Sequence, residues 1–270
     1  AGGQELLGEA MSSWKRRQKR TQDVKSRASN PNHMYGYCRA MGCNKPARAG
    51  TDDGLDARYC RSHYEHHQRH GNPFKGSYTA KELNPYRQAA LLWLVDHEDD
   101  RWVQHAVGGV KALYHRAGQH VEAFRLRGMT PKERARAHWA RLRKHEVDPR
   151  LVVAAWMAVE MILKDDPQAD WRKEYKRVQA AKVVHRMASG SHKKWVQDFG
   201  TRTHTEELHV YPRPRGRVLR HIGEDLEGAC ELLVDYHLDH MHAFKQERDQ
   251  EGTFQSSPYP RGWSARSRAS

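Results

Sequence analysis

The feature that most constrains this chain is a short segment that carries three of its four cysteines. Cys38 and Cys43 form one close pair, and Cys60 and His63 form a second. A tetrahedral zinc ion readily takes three thiolates and one imidazole, and each pair is short enough to chelate from a single turn. Gly42 suits such a turn, because a glycine lets a backbone amide approach the sulfur. The spacing therefore predicts a metal site at these four side chains. A set of reduced, packed cysteines is the alternative.

The predicted metal is structural. Four protein ligands leave no open position for water, which a catalytic zinc requires. A structural zinc supplies folding free energy on the order of 10 kcal/mol, enough to hold a segment that has almost no apolar core. Residues 31–78 are such a segment, since they are rich in Gly, Asn, Arg and His and contain few aliphatic side chains. We expect them to form a separate zinc-binding module.

These residues resemble the zinc knuckle of phage and mobile-element proteins, which often precedes an HNH-type nuclease domain. The resemblance covers residues 34–74 and rests on Cys38 to Cys43, Tyr59 to Tyr64 and Gln68 to Pro73. It implies a treble-clef-like Cys3His module and a helix from His63 to about His70. Residues 51–57 lengthen the loop between the two ligand pairs relative to the family's pattern.

The charge of the chain favours a polyanionic partner. Lys and Arg total 47 against 33 acidic residues, a net charge of +14. Such a charge attracts nucleic acid through its long-range field and through counterion release. Residues 1–30 form a predicted basic arm and residues 251–270 a predicted basic tail. A basic protein without a nucleic-acid partner is the alternative.

A second basic segment lies between residues 211 and 220, where four arginines surround two prolines and a glycine. We expect a hairpin tip here, with one strand at residues 207–211 and the other at 217–220. Its arginines are candidates for a minor-groove contact, and a solvated loop or an acidic protein partner is the alternative. The full set of predicted nucleic-acid contacts is Lys15, Arg16, Arg17, Lys19, Arg20, Arg61, Arg69, Arg213, Arg215 and Arg217.

Residues 79–250 read as a helical domain with one short hairpin, so the predicted fold is mainly α. Start signals are Asn84-Pro85, Asp99-Asp100, a capping box at Thr130 and Asp148-Pro149. The helix from Arg150 to Leu163 is apolar on most faces and is the predicted centre of the core. The helix from Lys132 to Lys144 carries six cations, among them Arg134, Arg136, Arg141, Arg143 and Lys144. It is either one helix of a helix-turn-helix on phosphate or, as we favour, the exposed face of a bundle.

A search for catalytic residues finds no convincing set. The two Asp-His pairs, Asp96-His97 and Asp239-His240, lie in predicted helices, and no Asn follows either at the distance that an HNH nuclease needs. Asp235, Asp239 and His242 share one helical face, which is a candidate divalent-metal site or a hydrated polar face. We predict no catalytic residue.

Three functions follow from these patterns. The first is a non-catalytic, zinc-stabilised protein of a phage or mobile element that binds nucleic acid, with DNA favoured over RNA. The second is a divergent metal-dependent nuclease. The third is a subunit of a larger nucleoprotein complex that contains RNA or protein partners. No apolar stretch is long enough to cross a bilayer, so we expect a cytoplasmic protein of a bacterial or phage-infected cell.

Overall fold

The computed structural model describes residues 18, 21–22, 24–26, 36–47, 49–51, 54–198, 203–213, 216–250, 257, 259 and 263. The chain divides into two compact units. The knuckle unit comprises Ala1–Gln68 and Asn72–Phe74, and the helical unit comprises Arg69–Gly71 and Lys75–Ser270.

The knuckle unit contains a small hairpin and a helix. Strands β1 (Ala49–Thr51) and β2 (Gly54–Asp56) pair in antiparallel fashion, with Ala49 opposite Asp56. Helix α1 (Arg61–His70) follows, and its last two residues belong to the helical unit. An isolated bridge between Tyr37 and Pro46 precedes the hairpin. Knuckle, hairpin and helix thus follow one another in the order of a treble-clef-like module.

The helical unit is mainly α, as predicted. Its elements, in chain order, are α2 (Ala80–Asp96), α3 (Arg101–Arg116), a short 3₁₀ turn (Ala123–Leu126), α4 (Pro131–Lys144), α5 (Pro149–Asp165), α6 (Lys173–His185), β3 (Ser191–Asp198), β4 (Thr203–Val210) and α7 (Gly216–Gln250). Among the residues that the structure describes, no helix is both long enough and apolar enough to span a membrane.

Helix α5 lies at the centre of the helical unit, as its sequence predicts. Every residue from Leu151 to Leu163 is buried, and α2, α3, α6 and α7 all pack on this helix. Glu160 is the one acidic residue in that run, and its carboxylate forms an ion pair with Lys176 at 2.8 Å. Burial raises the pKa of Glu160, because a buried carboxylate loses its hydration. Cys230 of α7 is fully buried in the same core.

Local start signals explain three of the helices. Thr130 and Glu133 form the predicted capping box of α4, and Asp148 caps α5 with Pro149 in its first turn. The predicted start of α2 at Pro85 is wrong. A second capping box at Thr79 begins the helix earlier, and Pro85 lies inside it. A proline near a helix start removes only one backbone hydrogen bond, so α2 tolerates it.

The predicted hairpin is misplaced. Strand β4 covers most of the predicted first strand, but its partner is β3, with Ser191 opposite Val210 and Asp198 opposite Thr203. The residues predicted as the second strand instead begin α7, which buries Val218, Leu219 and Ile222. A pattern of apolar residues between arginines is compatible with a strand or with a helix. The helix forms here because it buries these three apolar side chains on one face.

The basic helix α4 is not a uniformly exposed face. Arg141 is only 4% exposed, and its guanidinium donates to the His185 carbonyl at 2.9 Å. Arg143 donates to the Tyr114 carbonyl at 2.8 Å and also to the Gly118 carbonyl. Arg134 also donates to the Arg213 carbonyl at 3.5 Å. Three of the six cations therefore hold backbone carbonyls of the helical unit, while Lys132 and Arg136 are exposed.

Candidate metal centre and cationic residues

The first ligand pair sits in a tight turn. The Cys43 amide donates to the Ala40 carbonyl at 3.0 Å, and the Cys38 amide donates to the Lys45 carbonyl at 2.8 Å. Gly42 has φ of +73°, a left-handed conformation that other residues adopt only at a cost. The turn brings both thiols to the same side, which is what a chelating knuckle requires.

The second pair is set by the start of α1. The Asp56 carboxylate accepts from the amides of Arg58 and Tyr59, each at 2.8 Å, and so fixes the turn before the helix. Cys60 directly precedes α1, and His63 lies in its first turn. The helix therefore presents one thiol and one imidazole toward the knuckle.

The four ligand atoms of Cys38, Cys43, Cys60 and His63 lie within 4.8 Å of one another. The His63 Nδ1 is 3.4 Å from the sulfurs of both Cys38 and Cys60, and the Cys43 and Cys60 sulfurs are 3.9 Å apart. Metal–sulfur bonds of about 2.3 Å and metal–nitrogen bonds of about 2.05 Å give tetrahedral edges of about 3.6 Å for S···N and about 3.8 Å for S···S. The observed separations match these edges, so the cluster can hold a tetrahedral metal ion.

The thiols of Cys38 and Cys60 differ in acidity. Burial acts to raise the pKa of Cys60, but hydrogen bonds from the Ser62 hydroxyl and the His63 backbone outweigh it and lower this pKa to about 6. Burial dominates at Cys38 and raises its pKa. Thiolates are the form that binds metal, and the hydrogen bonds at Cys60 favour that form.

Little apolar material supports the metal ligands. The buried side chains of this cluster are Cys38, Ala40, Tyr59 and Cys60, with Cys43 and Tyr64 partly buried beside them. Two of the metal ligands thus make up half of the fully buried set. Without a cross-link, this cluster is far smaller than the cores of independently folding domains.

A second group of possible ligands lies on the β3–β4 hairpin, where sequence reasoning placed no metal. His192 and His209 face each other across the strands with their rings stacked at 3.9 Å. Their Nε2 atoms lie 3.6 and 3.4 Å from the same carboxylate oxygen of Glu207. All three side chains are exposed, and Lys194 also pairs with Glu207. Glu207 and His209 alternate along β4, and only the register of the two strands places His192 of β3 beside them.

Four of the ten predicted nucleic-acid contacts lie among the described residues. Arg61 is exposed and pairs with Glu65 at 3.1 Å. Arg69, Arg213 and Arg217 are exposed as well, with Arg213 before α7 and Arg217 in its first turn. Arg215 and the basic-arm residues Lys15, Arg16, Arg17, Lys19 and Arg20 lie outside the described residues. All ten residues remain predictions.

The alternative metal face on α7 is occupied by ion pairs. Asp239 pairs with Lys164, and His242 contacts Asp165 at 2.7 Å. Within the described part of the chain, Asp235, Asp239 and His242 do not bring their ligand atoms together as a metal-binding group. The structure therefore gives the nuclease hypothesis no metal site on this face.

Comparison of this chain with known protein families, with curated proteins and with solved structures gives no match.

Proposed function

We propose that this chain is a non-catalytic nucleic-acid-binding protein, with DNA as its main ligand, and that zinc occupies the Cys3His cluster. The agreement between the ligand separations and tetrahedral edges is the observation that carries the zinc assignment. Four protein ligands complete the coordination shell, so the ion contributes folding free energy and offers no bound water for hydrolysis.

The nucleic-acid part of the proposal is supported by charge. The net charge of +14 creates a field that attracts phosphate backbones, and each contacted phosphate releases counterions. Arg69, Arg213 and Arg217 present exposed guanidinium groups for such contacts. The resemblance of the knuckle to phage and mobile-element proteins supports an origin in such an element, and with it a cytoplasmic location.

The test is a salt titration of binding. Fluorescence anisotropy of a labelled DNA duplex and of an RNA of the same sequence, from 50 to 200 mM salt, gives the slope of log K against log salt. Each phosphate contact contributes about −0.9 to that slope on duplex DNA. We expect a steep negative slope with DNA. The proposal fails if neither nucleic acid binds at the lowest salt concentration.

Two variants that each lose four positive charges distinguish the effect of the predicted contacts on binding from the effect of net charge. Replacing Lys15, Arg16, Arg17 and Arg69 with Gln removes four predicted contacts and should reduce the slope by up to about 3.6. The control replaces four exposed cations of the helical unit with Gln, namely Lys81, Lys111, Lys132 and Arg136. Equal loss of affinity in both variants would mean that net charge alone, and not the predicted contacts, drives binding.

A further inference from the structure

A cationic cavity lies in the helical unit between the start of α2 and the end of α6. Its volume is about 390 Å³, within the range of about 300–1,000 Å³ that small-molecule sites occupy. Arg87 comes from α2, Lys182 lies near the end of α6 and Arg186 directly follows it, and Ser77 and Thr79 are among the other lining residues. None of the described residues that line this cavity is acidic, although the Glu82 carboxylate is hydrogen-bonded to Thr79 at its edge.

The three cations have no acidic partner among the residues that the structure describes. Arg87 donates only to the Asn84 side-chain oxygen, at 3.4 Å. Lys182 donates to the Ser77 hydroxyl at 2.5 Å and contacts the His70 Nδ1 at 3.2 Å. Lys176 and Arg177 of the same helix α6 are, by contrast, paired with glutamates.

Unpaired cations in a partly buried site are unfavourable. Burial lowers the pKa of Arg87. Burial, followed by repulsion from Arg186 and Arg69, lowers the pKa of Lys182 to about 8. A bound anion would offset both effects, because it provides a direct charge–charge contact in place of the lost hydration.

The start of α2 borders the same cavity. Thr79 and Ala80 line the cavity, and they are the cap and the first residue of a 17-residue helix. The partial positive charge of this helix N-terminus is already offset by the Glu82 carboxylate of the capping box, so the side-chain cations carry the attraction for an anion. Guanidinium groups bind phosphate through paired N–H donors, and Lys182 supplies a point charge and a donor.

We propose that this cavity binds a phosphate group, with Arg87, Lys182 and Arg186 as its counter-charges. The phosphate is carried either by a nucleic-acid strand or by a free phosphate compound. The first source rests on the proposed function, whereas the second is independent of it.

The experiment uses the full, zinc-loaded chain and two probes. Isothermal titration calorimetry measures binding of inorganic phosphate and of a short thymidine oligonucleotide with a 5′-phosphate, with the unphosphorylated oligonucleotide for comparison. We expect at least one phosphate probe to bind, and Arg87→Gln and Lys182→Met each to weaken that binding at least tenfold. The control Lys81→Gln removes a cation from the exposed surface of α2 and should leave binding unchanged.

The outcomes distinguish the sources. If inorganic phosphate binds more tightly than the phosphorylated oligonucleotide, the cavity is assigned to a free phosphate compound. Tighter binding of the phosphorylated oligonucleotide assigns it to a nucleic-acid strand. The proposal is overturned if wild type binds neither phosphate probe, or if both cavity variants bind like wild type while circular dichroism shows them folded. Duplex binding that survives Arg87→Gln would leave the proposed function standing without this cavity.

Discussion

Replacing Cys60 with Ala should unfold the knuckle unit and leave the helical unit folded. Cys60 contributes a sulfur 3.4 Å from the His63 Nδ1 and 3.9 Å from the Cys43 sulfur, so its loss opens the coordination shell. A structural zinc contributes about 10–16 kcal/mol of binding free energy in small modules. The main apolar groups here, Tyr59 and Tyr64, contribute only about 1.5–3 kcal/mol each even when fully buried. We therefore expect the proposed zinc ion to be the dominant stabilising interaction of this unit.

Zinc content and hydrogen exchange measure the two halves of this prediction. Zinc should fall from one equivalent in wild type to near zero in Cys60→Ala. Exchange should accelerate at the amides of Cys38, Arg39 and Cys43, which donate to backbone carbonyls around the knuckle. Amides of α5 should stay protected, because its core is built from the helical unit's own side chains.

Cys230→Ala is the matched control. Cys230 is buried in α7 and belongs to no group of possible metal ligands in the described part of the chain. This variant should keep one equivalent of zinc and lose about 1 kcal/mol of stability from a small cavity. Full zinc content in Cys60→Ala, or unchanged exchange at the knuckle amides, would refute the ligand assignment and the reasoning from it.

Three further predictions concern the helical unit. Thr130→Ala removes the capping box of α4 and should cost about 1 kcal/mol in chemical denaturation, whereas Thr130→Ser should cost much less. Lys176→Met leaves the Glu160 carboxylate buried and unpaired and should lower the free energy of unfolding by about 3–5 kcal/mol. The double variant with Glu160→Gln should recover most of that loss. Additive losses in the double variant would contradict the pairing. Without phosphate, the free energy of unfolding should rise as pH increases from about 8 to about 10, because the unfolded chain keeps a lysine proton that folded Lys182 loses. The groups facing that amine are His70, Ser77, Arg69 and Arg186, and Lys182→Met should remove this part of the pH dependence.

Local signals made much of this fold predictable. The capping box at Thr130 and the Asp148-Pro149 start lie within a few residues of the helices that they begin, so the sequence alone identifies them. The continuous apolar sequence of α5 likewise predicts that this helix is buried. The metal ligands were predictable because each pair is close in sequence and few residue types bind zinc.

Features that depend on packing were not predicted. The partner of β4 is the preceding strand β3, a local hairpin, and no local pattern near Arg217 reveals that α7 begins there. Arg141 turns inward because the His185 carbonyl, on another helix, accepts its guanidinium. The cationic cavity combines Arg87 with Lys182 and Arg186 from a second helix, so only the packing of α2 near the end of α6 brings them together.

The most direct test of the account is one gel of supercoiled plasmid incubated with the zinc-loaded protein and Mg²⁺ or Mn²⁺, run before and after protease digestion. We predict a mobility shift that disappears after digestion and leaves the plasmid supercoiled, as expected for a DNA-binding protein that does not cut. Nicked or linear plasmid after digestion, or no shift at any protein concentration, would contradict the proposed function.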